Sequence, residues 1–290
     1  MQLDIFNDSR DVMLRNDVLS ALQRYDAAGA RRALQALANE YPDDDALTHL
    51  GLIVDVLDAR STVPLDSHEA VLAARHVLSH EVRPAVSRLF PAPTSATWLA
   101  PLWAELAGRA AALPFRADHA DAHAAPLFLL AARWAEACEA VSCIASWRRI
   151  PAPLCWMAEA RYRLDGLDAA WPLLVELAWL SPSRFDQLLS RLGDACVNTL
   201  RRNFDTSFDG AGDIDDLAWF PAWVLTEKAG LAPLFKQAEP SRRNAPERAA
   251  KVMLQILSLE RQGRHHELLE TRRELQALNT ALYAAYMKTR

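Results

Sequence analysis

Glycine, lysine and long apolar runs are scarce in this sequence. Glycine occurs 9 times in 290 residues, and the lysines number 4 against 28 arginines. Few glycines mean few residues that destabilise a helix interior, each by about 1 kcal/mol relative to alanine. No stretch reaches about 18 uninterrupted apolar residues, which excludes a membrane-spanning helix. The formal net charge of −5 gives no electrostatic footprint for nucleic acid or an anionic membrane, so we expect neither as a partner.

Paired cysteines and the motifs of common enzyme classes are also missing. The cysteines form no C-x-x-C pair, so neither a zinc ribbon nor a thioredoxin-type site is indicated. They lie in apolar helical stretches, where we expect buried reduced thiols; they are Cys138, Cys143, Cys155 and Cys196. No Walker motif, dinucleotide-binding glycine pattern or nucleophile elbow occurs. These absences favour a protein without catalytic activity, and we expect no cofactor.

The first residues of the sequence, MQLDIFNDSRDV, are acidic and polar. A secretory signal peptide has instead a basic start followed by an apolar core. We therefore expect a cytoplasmic protein. The excess of arginine over lysine is typical of GC-rich genomes, and this favours a bacterial source.

Alanine (52) and leucine (44) make up a third of the sequence, and both are strong helix formers. Apolar residues recur at helical spacing along almost the whole chain, separated by short breaks. The sequence therefore predicts an all-α fold with no significant sheet. Within it, residues 183–204 are predicted as one long helix. Asp66 and Glu69 are predicted to form a capping box at the start of another helix.

The distance between one alanine and one proline recurs along the chain. It is 12, 11 and 12 residues for the pairs Ala30 and Pro42, Ala140 and Pro151, and Ala170 and Pro182. An alanine lets two helix axes approach closely. A proline disfavours the α conformation in the residue before it, which ends a helix. The recurrence predicts consecutive pairs of packed helices.

Residues 151–184 resemble a tetratricopeptide repeat. That family has a small residue inside the first helix, a turn, and then A-x3-F followed by a proline that closes the second helix. The matching residues are Ala158, the Asp165–Gly166 turn, Ala170, Leu174 and Pro182. Residues 16–44, with a break at 27–29, and residues 124–153, with a break near Glu136, follow the pattern more loosely.

The resemblance implies an α–α superhelix, a solenoid of antiparallel helix pairs. Such pairs stack because a single pair cannot bury its apolar face. The predicted array covers residues 1–204, and its best units are 16–44, 124–153 and 151–184. An acidic loop at 205–216 follows, and the helices of residues 217–290 are expected to pack on the same solenoid.

The resemblance also implies a function, the binding of a protein or peptide partner without catalysis. In tetratricopeptide proteins the first helix of each pair lines a concave groove that holds a peptide. Carried over to this chain, the groove positions are Ala125, Leu129, Ala132, Arg133, Cys155, Glu159, Tyr162 and Arg163. The side chains of Arg133, Tyr162 and Arg163 are suited to a peptide carboxylate. Partner-binding residues are therefore predicted at Arg133, Glu159, Tyr162 and Arg163.

The acidic segment DTSFDGAGDIDD, residues 205–216, partly resembles an EF-hand loop. Asp205, Ser207 and Asp209 would supply oxygen ligands in such a loop. Position twelve is Asp216, which is shorter than the usual bidentate glutamate. We expect a solvated loop that binds calcium weakly or not at all. A calcium sensor with ligands Asp205, Ser207, Asp209 and Asp216 is the alternative.

His119 and His123 are spaced by one helical turn. Two imidazoles at that spacing can bind zinc, but Ala120 stands where the H-E-x-x-H motif has its glutamate base. His76 and His80 show the same spacing, so it arises readily by chance. We expect a polar helix start here. A metal-dependent enzyme or sensor on a helical scaffold remains the alternative function.

Overall fold

The computed structural model describes residues 2–239 and 244–290. Every regular element in these two ranges is helical, and none of their residues lies in a strand. The predicted all-α class is therefore confirmed. None of the helices in the part of the chain that the structure describes is long and apolar enough to cross a membrane.

Contacts divide the chain into two compact units, Met1–Arg133 and Trp134–Arg290. This division differs from the predicted one at 205–216. The helices of the N-terminal unit are α1 (Gln2–Gln23), α2 (Ala27–Glu40), α3 (Leu47–Asp58), α4 (His68–Val77), α5 (Arg83–Leu89), α6 (Ala92–Ala110) and α7 (Ala124–Leu130). Those of the C-terminal unit are α8 (Trp134–Ser142), α9 (Pro151–Asp165), α10 (Leu167–Leu180), α11 (Pro182–Leu192), α12 (Ala195–Ser207), α13 (Phe220–Glu227), α14 (Ala232–Phe235), α15 (Ala245–Gln262), α16 (His265–Leu278) and α17 (Thr280–Lys288).

In the N-terminal unit, α6 contacts α4, α5 and α7. Its apolar face is buried in the core of this unit through Trp98, Leu102 and Leu106. The opposite side of α6 carries small side chains, among them Thr97 and Ala104. This asymmetry follows from helical periodicity, which places residues three or four apart on one face. One side of α6 is therefore buried in the core, and the other side is accessible to solvent.

The helix pair predicted at 151–184 is present as α9 and α10, which pack on each other. Gly166 alone separates them at φ 83°, a conformation that glycine adopts without steric cost. Ala158 and Ala170 are fully buried, as expected for residues at a close helix contact. Pro182 begins α11 directly after α10 has ended.

The two looser repeat units fit less well. Residues 16–44 contain the end of α1 and all of α2, but the break lies at 24–26. Asp26 caps α2 by accepting a hydrogen bond from the backbone N–H of Gly29. In 124–153 the helices break at 131–133 and not near Glu136. Here α7 packs on α6 in one unit and α8 packs on α9 in the other. The predicted pair 124–153 therefore does not form within one unit.

Two local predictions are wrong because a neighbouring residue caps a helix better. The single helix predicted at 183–204 is two helices, because Gly193 adopts φ 64° and Asp194 caps α12. Helix α4 is capped by Ser67 and not by Asp66. The cysteines also differ from expectation, since Cys155 is buried but Cys143 and Cys196 are exposed.

Candidate functional site

Three adjoining cavities follow α6 from its first turn to its last. The aromatic cavity (about 370 Å³) faces the first turns, the central cavity (about 520 Å³) the middle, and the inner cavity (about 230 Å³) the last turns. Thr97 lines both the aromatic and the central cavity. Arg60 and Glu105 line both the central and the inner cavity. We call the three together the α6 groove; it lies entirely within the N-terminal unit.

The floor of the central cavity is a strip of small residues on α6. Thr97, Ala100, Pro101 and Ala104 line it at helical spacing. Pro101 lies inside the helix and has no N–H, so the carbonyl of Thr97 cannot form the usual i to i+4 helix bond with it. The floor thus allows close approach of a ligand backbone.

The wall of the aromatic cavity is formed by Tyr25 and Trp98. Their rings stack with centroids 5.4 Å apart and an interplanar angle of 11°. The indole Nε1 of Trp98 donates to the carbonyl oxygen of Leu22 at 2.8 Å, and the hydroxyl of Tyr25 donates to the carbonyl oxygen of Trp98. Burial raises the pKa of Tyr25 to about 12, so its hydroxyl is a neutral donor at neutral pH.

Tyr25 has a left-handed backbone at φ 56°. The N–H of Asp26 donates to the carbonyl oxygen of Ala21 at 3.0 Å, and the N–H of Tyr25 donates to that of Leu22 at 3.0 Å. This is a Schellman turn at the end of α1, in which glycine normally occupies the left-handed position. A residue with a side chain costs about 1–2 kcal/mol there. The contacts of the Tyr25 ring with Trp98 offset that cost and fix the aromatic wall.

An ion pair separates the central cavity from the inner one. The Nε of Arg60 donates to Oε2 of Glu105 at 2.8 Å, and the N–H of Ser61 donates to Oε1 at 2.9 Å. The guanidinium of Arg60 also lies 5.6 Å from the centroid of the Tyr25 ring. Arg60 therefore has a defined position between Glu105 and the ring of Tyr25.

The inner cavity is mainly apolar. Seven apolar residues from α3, α4, α6 and the turns that follow α3 and α4 line it: Val56, Ala59, Ala74, Val77, Leu78, Leu102 and Leu106. Its charged lining residues are Arg60, Glu105 and Arg109. The Nε of Arg109 donates to the carbonyl oxygen of Val63 at 2.9 Å, which fixes this side chain against the loop after α3.

Arg133, one of the predicted partner-binding residues, lines the central cavity together with Ala131. A second Schellman turn positions it at the end of α7. The N–H of Arg133 donates to the carbonyl oxygen of Phe128 at 2.9 Å, and Ala132 has φ 55°. Arg133 is thus the one predicted partner-binding residue that lines this groove. The sequence prediction missed Tyr25, Arg60 and Glu105, because these belong to separate elements without a shared motif.

The other predicted partner-binding residues, on α9, contact neighbouring helices of their own unit. Oε2 of Glu159 accepts a hydrogen bond from Arg191 at 2.9 Å, and the hydroxyl of Tyr162 donates to Oδ2 of Asp194 at 2.9 Å. Arg163 donates to the carbonyl oxygen of Arg191 at 3.2 Å. These side chains connect α9 to α11 and to the start of α12. Two further predicted groove residues, Ala125 and Cys155, are buried.

His119 and His123 have separate local roles. The Nε2 of His119 lies 3.4 Å from Oε1 of Glu69. The Nδ1 of His123 accepts from the N–H of Ala125 at 3.2 Å, which caps α7. Burial lowers the pKa of His123 to about 4, so the ring is neutral at neutral pH. The expected α-helix start at 118–123 is a 3-10 turn followed by this cap.

The residues of the EF-hand alternative do not form a ligand loop. Asp205 lies in α12 and pairs with Arg201 at 2.8 Å, and the hydroxyl of Ser207 donates to the carbonyl oxygen of Asn203. Asp216 accepts from the N–H groups of Ala211 and Gly212, while Asp209 is exposed. Within residues 2–239 and 244–290, no group of three or more histidine, cysteine or acidic side chains is arranged to hold a metal ion.

No protein-family model, curated protein or solved structure matches this chain. The resemblance to a tetratricopeptide repeat therefore rests on the sequence pattern of residues 16–44, 124–153 and 151–184.

Proposed function

We propose that this protein binds an extended peptide segment of another protein in the α6 groove and has no catalytic role. Three adjoining cavities along α6 are the observation that supports this proposal: two lie on its accessible side, and the third lies past the Arg60–Glu105 ion pair beside Leu102 and Leu106 of its core-facing side. An enclosed cofactor site is usually a single cleft. A row of shallow cavities is instead suited to successive side chains of one chain.

The dimensions of the groove agree with a short peptide. From Pro93 to Arg109 the helix rises about 24 Å at about 1.5 Å per residue. An extended chain advances about 3.3 Å per residue, so the groove has room for about seven residues. The small floor at Thr97, Pro101 and Ala104 lets a peptide backbone approach α6 closely.

The walls offer the contacts that peptide-binding surfaces use. The ring of Tyr25, held in place by its stack on the buried Trp98, provides rigid aromatic area, and such area contributes strongly to binding at protein interfaces. Arg60, Glu105 and Arg133 provide charged hydrogen-bonding groups beside it. The sequence-based prediction of a peptide partner is thus retained, but we place the site on α6 instead of α9.

A selection experiment tests this proposal. Short random peptides are selected on the full-length protein from two libraries, one displayed with free carboxyl ends and one with the carboxyl ends fused to the carrier. Selected peptides are then synthesised and titrated by calorimetry. Thr97→Trp should weaken binding by about tenfold or more, because Thr97 is exposed and lines two of the three cavities.

Ala96→Trp is the matched control, because Ala96 is also exposed but lines none of these cavities. It should bind the selected peptides as the wild type does. The proposal fails if neither library yields a binding peptide, or if folded Thr97→Trp binds as tightly as Ala96→Trp.

A further inference from the structure

We infer that the bound segment is the carboxyl terminus of its protein, with an aliphatic last side chain in the inner cavity and the terminal carboxylate on Arg60 and Arg109. This inference rests on the proposed function of the α6 groove. It specifies which end of a peptide the groove recognises and by which residues.

The size of the inner cavity limits what it can hold. Its volume of about 230 Å³ is below the roughly 300–1,000 Å³ of typical small-molecule sites. Its lining is aliphatic apart from Arg60, Glu105 and Arg109. One aliphatic side chain suits a cavity of this size and lining.

The guanidinium groups of Arg60 and Arg109 are held in place by one hydrogen bond each and have further N–H donors for a ligand. Among the described residues, each is hydrogen-bonded through Nε, that of Arg60 to Glu105 and that of Arg109 to the carbonyl of Val63. A guanidinium has further N–H donors on its terminal nitrogens. Such planar donors suit a carboxylate, which accepts two hydrogen bonds at once.

The last residue of a chain can supply both the aliphatic side chain and the carboxylate. In a C-terminal residue, the side chain and the carboxylate are attached to the same Cα, so both fit into one small cavity. An internal Asp or Glu would need a second residue to supply the aliphatic side chain. The position of the inner cavity beside the last turns of α6 also suits the end of a bound chain.

The charge of the inner cavity differs from that of its unit. In residues 1–133, acidic residues outnumber arginines 17 to 12, and no lysine occurs. The inner cavity has the opposite balance, with Arg60 and Arg109 against Glu105. This local positive charge complements a terminal carboxylate.

The test compares each selected peptide as a free acid and as a C-terminal amide, by calorimetry with the full-length protein. We expect the library with free carboxyl ends to yield peptides that end in Leu, Ile or Val. Their amides should bind about tenfold more weakly or worse, because the amide has no negative charge. Arg109→Gln should reduce this difference between acid and amide to less than about threefold. Arg32→Gln, at an exposed arginine outside the groove, should leave it unchanged.

Ala59→Leu tests the aliphatic part separately. Ala59 is exposed and lines the inner cavity, whereas Ala73 is exposed and does not line it. Ala59→Leu should weaken the free acids about tenfold, and Ala73→Leu should have no effect. A loss of folding would weaken acid and amide alike, so the acid-to-amide ratio reports the carboxylate contact itself.

Acid and amide binding equally well, or selected peptides with acidic internal residues and no preference at their ends, would overturn this inference. If such peptides still lost affinity on Thr97→Trp, the proposed groove would stand and only the terminal recognition would be wrong. Failure of both libraries would reject the proposed function itself.

Discussion

The ring of Tyr25 stacks on the ring of Trp98 across 73 positions of sequence, with centroids 5.4 Å apart. The backbone of Tyr25 is left-handed at φ 56°, so this contact is made at a conformational cost of about 1–2 kcal/mol. Non-glycine residues in such conformations persist where the surrounding structure holds them. Here the stack holds one wall of the α6 groove and supports the Arg60 guanidinium 5.6 Å from the ring centroid.

Tyr25→Phe should lower the free energy of unfolding by about 1 kcal/mol, because the ring stack remains but the hydrogen bond to the carbonyl of Trp98 is lost. Tyr25→Gly should be less stable than Tyr25→Phe, although it relieves the left-handed strain. Urea unfolding of the three proteins is the measurement. A Tyr25→Gly variant more stable than wild type would show that the stack contributes less than the strain costs.

Ala170→Leu should lower the free energy of unfolding by about 1–3 kcal/mol, because Ala170 is fully buried where α10 meets α9. Ala169→Leu is the control, since Ala169 is exposed on the same helix. Thermal melts distinguish the two. Equal melting temperatures for the two variants would mean that the contact between α9 and α10 has room for the larger side chain.

Tyr162→Phe should cost about 1 kcal/mol of stability, because it removes the hydrogen bond from α9 to the carboxylate of Asp194. It should leave the affinity for selected peptides unchanged. The control is Arg161→Ala, which breaks an exposed pair with Asp165 and should cost less than about 0.5 kcal/mol. Peptide binding lost in a fully stable Tyr162→Phe protein would move the binding site back to α9.

Glu176 should make the C-terminal unit less stable as pH rises. Its carboxylate is buried, with Oε1 accepting from the N–H of Glu239 at 2.8 Å and Oε2 lying 3.4 Å from the Nε of Arg148. Burial raises its pKa from the ordinary 4.5 of a glutamate to about 7. Between these values the folded state binds more protons than the unfolded state, so the free energy of unfolding falls as pH rises.

The change of Glu176→Gln removes this titration and leaves an amide oxygen for the N–H of Glu239. Relative to the variant, the wild type should lose up to about 3 kcal/mol between pH 4.5 and pH 7. Urea unfolding at both pH values measures the difference, with the exposed Glu139→Gln as control. Parallel pH profiles for wild type and Glu176→Gln would contradict the raised pKa.

His123 should give the N-terminal unit the opposite dependence on pH. Burial lowers its pKa from 6.5 to about 4, so between these values the unfolded state binds the additional proton. Stability is therefore lost as pH falls, by up to about 3 kcal/mol. His123→Asn keeps a side-chain cap for α7 and does not titrate.

Unfolding of wild type and His123→Asn at pH 6.5 and at pH 4 should show the wild type losing more stability. His76→Asn, at an exposed histidine of the same unit, should follow the wild type. An equal loss in wild type and His123→Asn would assign the acid sensitivity to other groups.

The amino-acid sequence by itself determined the helical class and the α9–α10 pair. Alanine and leucine, a third of the residues, favour helices along the whole chain. The turn at Gly166 and the stop at Pro182 depend on local backbone sterics. A turn or a helix end of this kind depends only on residues that are close together in the sequence, so the sequence alone predicts it. The break at Gly193 was also local, and it was missed because apolar spacing continues across it.

Tertiary structure alone decided the candidate site. Tyr25, Arg60, Glu105 and Arg133 come together because α3 and α6 and the ends of α1 and α7 pack around a shared core. Tertiary structure also brought the hydroxyl of Tyr162 within hydrogen-bonding distance of Asp194, which is 32 residues away in the sequence. A helical pattern tells which side chains share a face, but not which other helix covers that face, because packing between helices depends on the shapes of both partners.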